Sequence, residues 1–465
     1  MGRQLCHSDL REEQLMRMRT YVTLAATLFI LGCVGGCGDD DGSTNDNQTD
    51  AAVDSGPDAA TGDTAVLMIV EWSSVDGTLI PVEGAIVAAD PPGGDRMEVI
   101  TGADGLATFE NVDISAGLEA LSIYKPGYIL HSVLNMSEQD YEDGLVNGSV
   151  AIEVGQLDPP SPNVDMATVS GDATGLVSSM NRLFVFPHRA EGTNYSGPSS
   201  VPYSFDVEQD ADFTIVAIEG DDGALPSNRG YFVDVDKAMV ADHVAINGPT
   251  ADYDLDFEMW EVTPQTADAS IMLPTRADSP LRDGWPNVWV MSTQSTLWSM
   301  TGWAESVDIS ADGNHFDLSY IWVEPALLEG AYTYHIVQHP TSGEYSFSIR
   351  RGYPQAGAID PPLLDTPRWT TPADPMVPHA ITEPLVWEWF DDVEVSSLAV
   401  LRGDTIVWYV VAGENATTAT LPAPPNNIAA SQIIGSAPQA FVYGGYLDDD
   451  GWVQFARSLA VRLAP

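Results

Sequence analysis

His335 and His339 stand four residues apart, the spacing that places two zinc ligands on one face of a helix. The flanking run Tyr332-Thr-Tyr-His-Ile-Val337 is strand-like, however. Four residues along a strand span ~13 Å, too far for two imidazoles to share an ion held at ~2 Å. Ile336 also follows His335 where the zinc-protease motif needs Glu. The serines lack a Gly-x-Ser-x-Gly elbow, and no glycine-rich phosphate loop of the Gly-x-x-x-x-Gly-Lys type occurs. Cysteine is confined to Cys6, Cys33 and Cys37, so the chain beyond residue 37 has no thiol nucleophile, thiolate metal site or disulfide. With 68 Asp and Glu residues, chance carboxylate pairs are guaranteed, so a glycoside-hydrolase pair cannot be read from the sequence. No catalytic residue is assigned. The expectation is a protein that is not an enzyme, with an unrecognised carbohydrate-active or other extracellular hydrolase as the alternative.

Two constellations point to binding instead. Trp285, Trp289, Trp298, Trp303 and Trp322 crowd one stretch of chain. Flat aromatic faces stack on the apolar face of a sugar ring, which makes these five candidate glycan contacts, although Trp is also a core residue of β-sandwiches. Trp285 and Trp289 share strand parity, which places both on one face and favours a common core. Asp308, Ser310, Asp312 and Asn314 place oxygen side chains at alternate positions, with Gly313 for the bend, which resembles the front half of a calcium loop. Position twelve is Ser319 rather than a bidentate Glu. Alternating residues on both sides make a hairpin turn the stronger reading, with calcium as the candidate cofactor.

Sheets must position these residues. Runs such as Ala65-Val-Leu-Met-Ile-Val70, Arg182-Leu-Phe-Val-Phe186 and Phe316-Asp-Leu-Ser-Tyr-Ile-Trp-Val323 are alternating or β-branched and end at Gly, Pro, Asn or Asp. The expected fold is all-β, tandem β-sandwich domains after a signal peptide and a disordered acidic tether. Pro-rich breaks at 158–162 and 354–378 interrupt sheet ladders. They divide the chain into sandwiches at 64–157 and 164–262, a Trp-rich β domain at 265–353, a Pro-rich linker at 354–379 and a last sandwich at 380–465. The second reads as a diverged relative of the first.

In the first domain Asp76-Gly-Thr-Leu-Ile-Pro81-Val-Glu-Gly84-Ala85, Thr101-Gly-Ala-Asp104-Gly105-Leu-Ala-Thr-Phe109 and Tyr124-Lys125-Pro-Gly-Tyr128 follow in order. This resembles the carboxypeptidase regulatory-like domain, a transthyretin-like sandwich of about seven strands grouped with carbohydrate-binding-like folds. The resemblance implies an accessory module without catalytic residues. Leu385-Val-Trp-Glu-Trp389 and the later Leu421-Pro-Ala-Pro-Pro425 look like a fibronectin type III sandwich, which implies a buried core role for Trp387.

Arg17-Met-Arg19 and the apolar run Tyr21 to Leu31 have the layout of a secretory signal, and the run is shorter than the ~20 residues a membrane-crossing helix needs. Its tail, Ile30-Leu-Gly-Cys33-Val34-Gly-Gly-Cys37, resembles the lipobox of bacterial lipoproteins. Small residues precede Cys37, whereas Leu31 stands close before Cys33, so Cys37 is the expected lipidation site and Cys33 the alternative. The signal then covers 1–36, and 37–63 is the lipidated cysteine with a polar, acidic tether that has almost nothing to bury. The chain is expected to be exported and anchored through its lipid to the envelope membrane, at the outer membrane or cell surface. Asp39, two after Cys37, resembles an inner-membrane retention signal and keeps the periplasmic face of that membrane open.

A formal charge of −50 repels nucleic acid phosphates and excludes nucleic acid as a partner. The sequence therefore points to a non-enzymatic lipoprotein, a scaffold that displays itself to or binds a glycan or protein. A purely structural envelope spacer is a further alternative.

Overall fold

The computed structural model describes residues 64–72, 79–110, 117–143, 145–146, 149–157, 166–178, 181–187, 195–198, 202–209, 212–221, 234–294, 297–310, 313–323, 330–352, 358–447 and 452–464. The export signal, Cys33, Cys37 and the acidic tether lie outside the described residues. The secondary structure is overwhelmingly strand, and no described helix is long and apolar enough to cross a membrane. The chain divides into two compact units, one built on residues up to Gln156 with the short segment Pro422–Ile428, the other on the remainder from Leu157.

The first unit is a sandwich of β1 (Thr64–Trp72), β2 (Ile86–Asp90), β3 (Met97–Ile100), β4 (Leu106–Glu110), β5 (Leu118–Tyr124), β6 (Leu130–Met136) and β7 (Ser149–Glu153). One sheet sets β1 between antiparallel β4 and parallel β7. The other runs β3-β2-β5-β6, antiparallel throughout. Alternation explains the faces: Ala65, Leu67 and Ile69 of β1 join Val87, Ala89, Leu121 and Ile123 in one buried cluster. Each such aliphatic side chain contributes about 1.5–3 kcal/mol when fully buried. The turn at Asp104-Gly105 is local chemistry. Gly105 takes φ 73°, and a Cβ there would sit 2.6 Å from the Ile69 carbonyl oxygen. The Asp104 carboxylate accepts from the Leu106 amide at 3.1 Å.

The second unit begins with β8 (Met166–Gly171), β9 (Arg182–Pro187), β10 (Tyr195–Pro198), β11 (Tyr203–Glu208), β12 (Asp212–Asp221), β13 (Asp234–Ala245) and β14 (Thr250–Asp252). Its pairing repeats that of β1 to β7 member by member. The first strand lies between antiparallel β11 and parallel β14, and the second sheet runs β10-β9-β12-β13.

The same plan recurs a third time in β15 (Gln265–Met272), β16 (Trp285–Gln294), β17 (Leu297–Ile309), β18 (His315–Trp322), β19 (Gly330–Gln338), β20 (Tyr345–Arg351) and β21 (Ala358–Ile359). Here β15 lies between antiparallel β18 and parallel β21, and the second sheet runs β17-β16-β19-β20. A further pairing of β17 with β18 joins the two sheets along one side. The Trp-rich stretch thus has the same strand plan as the two sandwiches before it.

The Pro-rich stretch from 354 holds β21 and then β22 (Arg368–Thr371), after which come β23 (Leu385–Glu388), β24 (Val395–Arg402), β25 (Thr405–Gly413), β26 (Thr418–Ala419), β27 (Pro438–Leu447), β28 (Trp452–Arg457) and β29 (Val461–Ala464). A three-stranded sheet orders β22-β23-β26. A second sheet orders β25-β24-β27, with β28 and β29 both on β27. The sheet does not stop at that edge, because β28 also pairs antiparallel with β20, from Tyr345↔Arg457 to Arg350↔Trp452.

Close approach also decides Gly171. A Cβ at Gly171 would overlap the carbonyl oxygen of Tyr253, the same oxygen that accepts from the buried Tyr203 hydroxyl. Gly171→Ala should destabilise the second sandwich by about 1–3 kcal/mol, the range for forced overpacking. Urea unfolding would measure the effect, and an unchanged midpoint would show that the strand end shifts without cost.

Candidate functional site

Register separates the five tryptophans. Trp322 is 3 % exposed and packs with Val288, Val290 and Tyr320 in the core of the third sandwich. Trp285 and Trp289 share a face, as their parity requires, but β16 turns Val288 and Val290 into that core, leaving the two indoles half-buried on the opposite face. The expected common core is thus carried by Val288 and Val290, the residues on either side of Trp289. The backbone register sets Trp289 opposite Trp303 on one side and Tyr334 on the other, and Trp298 opposite Thr293. The side chains of Trp298 and Trp303 lie outside the described residues. The Trp289 indole N–H has no hydrogen-bond partner among the described residues.

The strands that flank the calcium-like loop, β17 and β18, pair antiparallel up to Ile309↔Phe316. Gly313 has φ 69°, its amide donates to the Ser310 carbonyl at 2.9 Å, and the Ser310 hydroxyl accepts from the His315 amide at 2.9 Å. The Arg282 guanidinium donates to the Gly313 carbonyl at 3.1 Å and to the Asn314 amide oxygen at 3.5 Å. The Asp308 side chain and all of Asp312 lie outside the described residues. Among the described residues no three His, Cys, Asp or Glu side chains converge as metal ligands.

Two charged clusters escaped sequence reasoning. In the second sandwich Glu219 of β12 is fully buried and accepts from the amides of Val177 and Ser178 at 2.7 and 2.8 Å and from the Asn181 side chain at 3.0 Å. A buried carboxylate is tolerable only with such donors, and here it pins the loop between β8 and β9.

The larger cluster gathers on Asp365, 3 % exposed, between β21 and β22. Arg276 donates to it in a bidentate fork at 2.7 and 3.1 Å, and the Ser279 hydroxyl donates at 2.6 Å. The Arg276 guanidinium lies 4.0 Å from the Phe390 ring centroid, with Arg368 against the same ring at 5.3 Å. Arg368 in turn pairs with Glu388 at 2.7 Å and Asp278 at 3.4 Å. The Asp365 amide donates to Asp391 at 2.6 Å. Burial pushes the Asp391 carboxyl above its ordinary range, and that hydrogen bond pulls it back in part. Burial likewise raises Glu344, against the pull of the Ser342 hydrogen bond and of Arg276. No motif marks this set, because its members are up to 115 residues apart and only the folded chain collects them.

The two histidines end in different environments on strand β19 and beyond it. The His339 ring nitrogen Nδ1 accepts from the Ser342 amide at 3.1 Å and caps the turn into β20. His335 is fully buried and contacts the Tyr320 ring edge-on at 6.0 Å and the Trp452 ring at 5.5 Å.

No protein-family model matches the chain, and no curated protein matches it. Among solved structures it is similar to a putative adhesin from Bacteroides ovatus, at 5% identity, 39% of this chain, 76% of that chain and a TM-score of 0.14. It is also similar to the Bacillus anthracis TIE protein, at 8% identity, 64% of this chain, 49% of that chain and a TM-score of 0.14. The fimbrial protein FimP from Actonomyces oris is a third, at 10% identity, 62% of this chain, 92% of that chain and a TM-score of 0.14. At such scores these likenesses carry no argument about function.

Proposed function

We propose that the protein is a non-enzymatic lipoprotein of the cell envelope whose tandem sandwiches display or bind a glycan or protein. In this reading residues 64–157 are a carboxypeptidase regulatory-like module and 380–465 a fibronectin type III-like one. Cys37 carries the lipid and holds the chain to the membrane at the outer membrane or cell surface. The observation that carries the reading is how the buried charges are used. Glu219 and the Arg276–Asp365 pair are saturated by internal partners that pin a loop and a joint, which is the chemistry of a scaffold rather than of a reacting centre.

Cys37→Ala should leave an unprocessed precursor in membrane fractions, seen as a mass larger by the whole signal. Normal maturation of that variant would move the lipid to Cys33 or remove it. Binding is tested by applying the processed chain to a glycan array beside Trp285→Ala and Trp289→Ala. Loss of a wild-type glycan signal in either variant supports the half-buried face as the contact. Silence on glycans and on envelope proteins alike reduces the chain to a spacer, and release of reducing sugar from polysaccharide would make it a hydrolase.

A further inference from the structure

His335 stands at the seam where the third sandwich meets the last one. In the backbone register it lies opposite Ser348 of β20, and Ser348 lies opposite Gln454 of β28, so one row of side chains crosses from β19 to β28. The imidazole is held between two rings, Tyr320 from its own sandwich and Trp452 from β28. All four of His335, Ser348, Tyr320 and Trp452 are buried. Neither ring nitrogen of His335, nor the Tyr320 hydroxyl, nor the Ser348 hydroxyl has a hydrogen-bond partner among the described residues. A neutral imidazole with an unused donor and acceptor is costly in such a place, and an imidazolium with two unmet N–H groups costs more.

We propose that His335 is an acid-sensitive latch: kept neutral it lets β28 close against β20, and its protonation favours opening of this seam, because the ring reaches water only when Trp452 moves away.

Burial sets this direction, and the groups packed around the ring do not oppose it. β18 contributes the Tyr320 phenol, which burial holds in its protonated form. β20 contributes Arg350, whose guanidinium lies over the Trp452 ring at 5.5 Å and adds nothing to the burial that lowers His335. β16 supplies Val288, and β28 supplies Trp452 and Gln454, none of which titrates in the relevant range. Burial lowers His335 from its usual 6.5 to about 3. A histidine depressed in the closed state takes up its proton on opening. Closure is therefore at full strength above pH ~6.5 and weakens tenfold in equilibrium constant per pH unit below it, until the closed-state pKa is reached.

Hydrogen exchange on the processed full-length chain tests the latch, read as protection factors corrected for the intrinsic pH dependence of exchange. In the wild type, residues 345–351 and 452–457 should lose protection together, about 50-fold between pH 6.5 and 4.5. His335→Phe should abolish that slope while carboxylate titration elsewhere stays common to both proteins. His335→Gln, polar but without a titrating proton, serves if the phenylalanine variant fails to fold. A wild type without the slope, a variant that keeps it, or opening confined to 315–338 while 452–457 stays protected would each overturn the proposal.

Discussion

Arg276→Ala should lower the stability of the second unit by about 3–5 kcal/mol, the cost of leaving a buried charge without its partner. Asp365 has 4 % side-chain exposure and Arg276 16 %, so water does not replace the lost fork. The change also strips the Phe390 ring of its closest cation. Asp365→Ala should cost a similar amount, and the double variant little more than either single one, because each single change strands the other charge. Arg276→Lys keeps the charge but loses the planar fork and the ring stacking, and should fall between. The measurement is a double-mutant cycle by urea unfolding, since guanidinium chloride would screen the pair. Losses below about 1 kcal/mol for both single variants would show that the pair is solvated like a surface ion pair.

Trp387→Ala should be as severe, at about 3–5 kcal/mol, the range for removing a buried aromatic ring. The indole is 2 % exposed and meets Trp369 of β22 edge-on at 5.9 Å, directly across the strand register. Removing it leaves a cavity that the β22-β23-β26 sheet cannot collapse to fill, because β22 is tied elsewhere through the Trp369 indole N–H to the Leu459 carbonyl at 2.8 Å. Trp387→Phe should recover more than half of the loss. A drop of the urea midpoint for the alanine variant with loss of exchange protection in 385–388 is the expected result. A midpoint within error of wild type would remove Trp387 from the core.

The strands themselves were legible. Ala65-Val-Leu-Met-Ile-Val70 and Phe316 to Val323 carry their period of two in the open, and it matches β1 and β18. The burial of Trp387 was legible only through a resemblance, that of Leu385 to Trp389 and Leu421 to Pro425 to a fibronectin type III sandwich. The third sandwich was not recognised as a repeat of the first two. Its strands β16 and β17 run to ten and thirteen residues against five and four for β2 and β3. Length and aromatic content hide a shared plan that only pairing reveals. The Asp365 cluster was illegible for a different reason. An acidic chain offers many carboxylates, and nothing local distinguishes the one that will be dry.

Parity placed Trp285 and Trp289 together but could not say on which side. Alternation assigns residues to one of two faces, and the choice of the inner face depends on which sheet packs opposite. Val288 and Val290, which flank Trp289, took that face, since small branched side chains fit a sandwich already filled by Tyr320 and Trp322.

By itself, then, the sequence determined the all-β class, the run of strands and turns, the absence of thiol chemistry beyond residue 37 and the strongly acidic character. These are properties of short windows or of composition. The tertiary structure decided the threefold strand plan, the crossing of β20 to β28, the faces of the tryptophans, and the burial of Glu219, Asp365 and His335. Each of those depends on partners distant in the chain. A strand's backbone can pair with almost any other strand, and only the packing of the whole selects one.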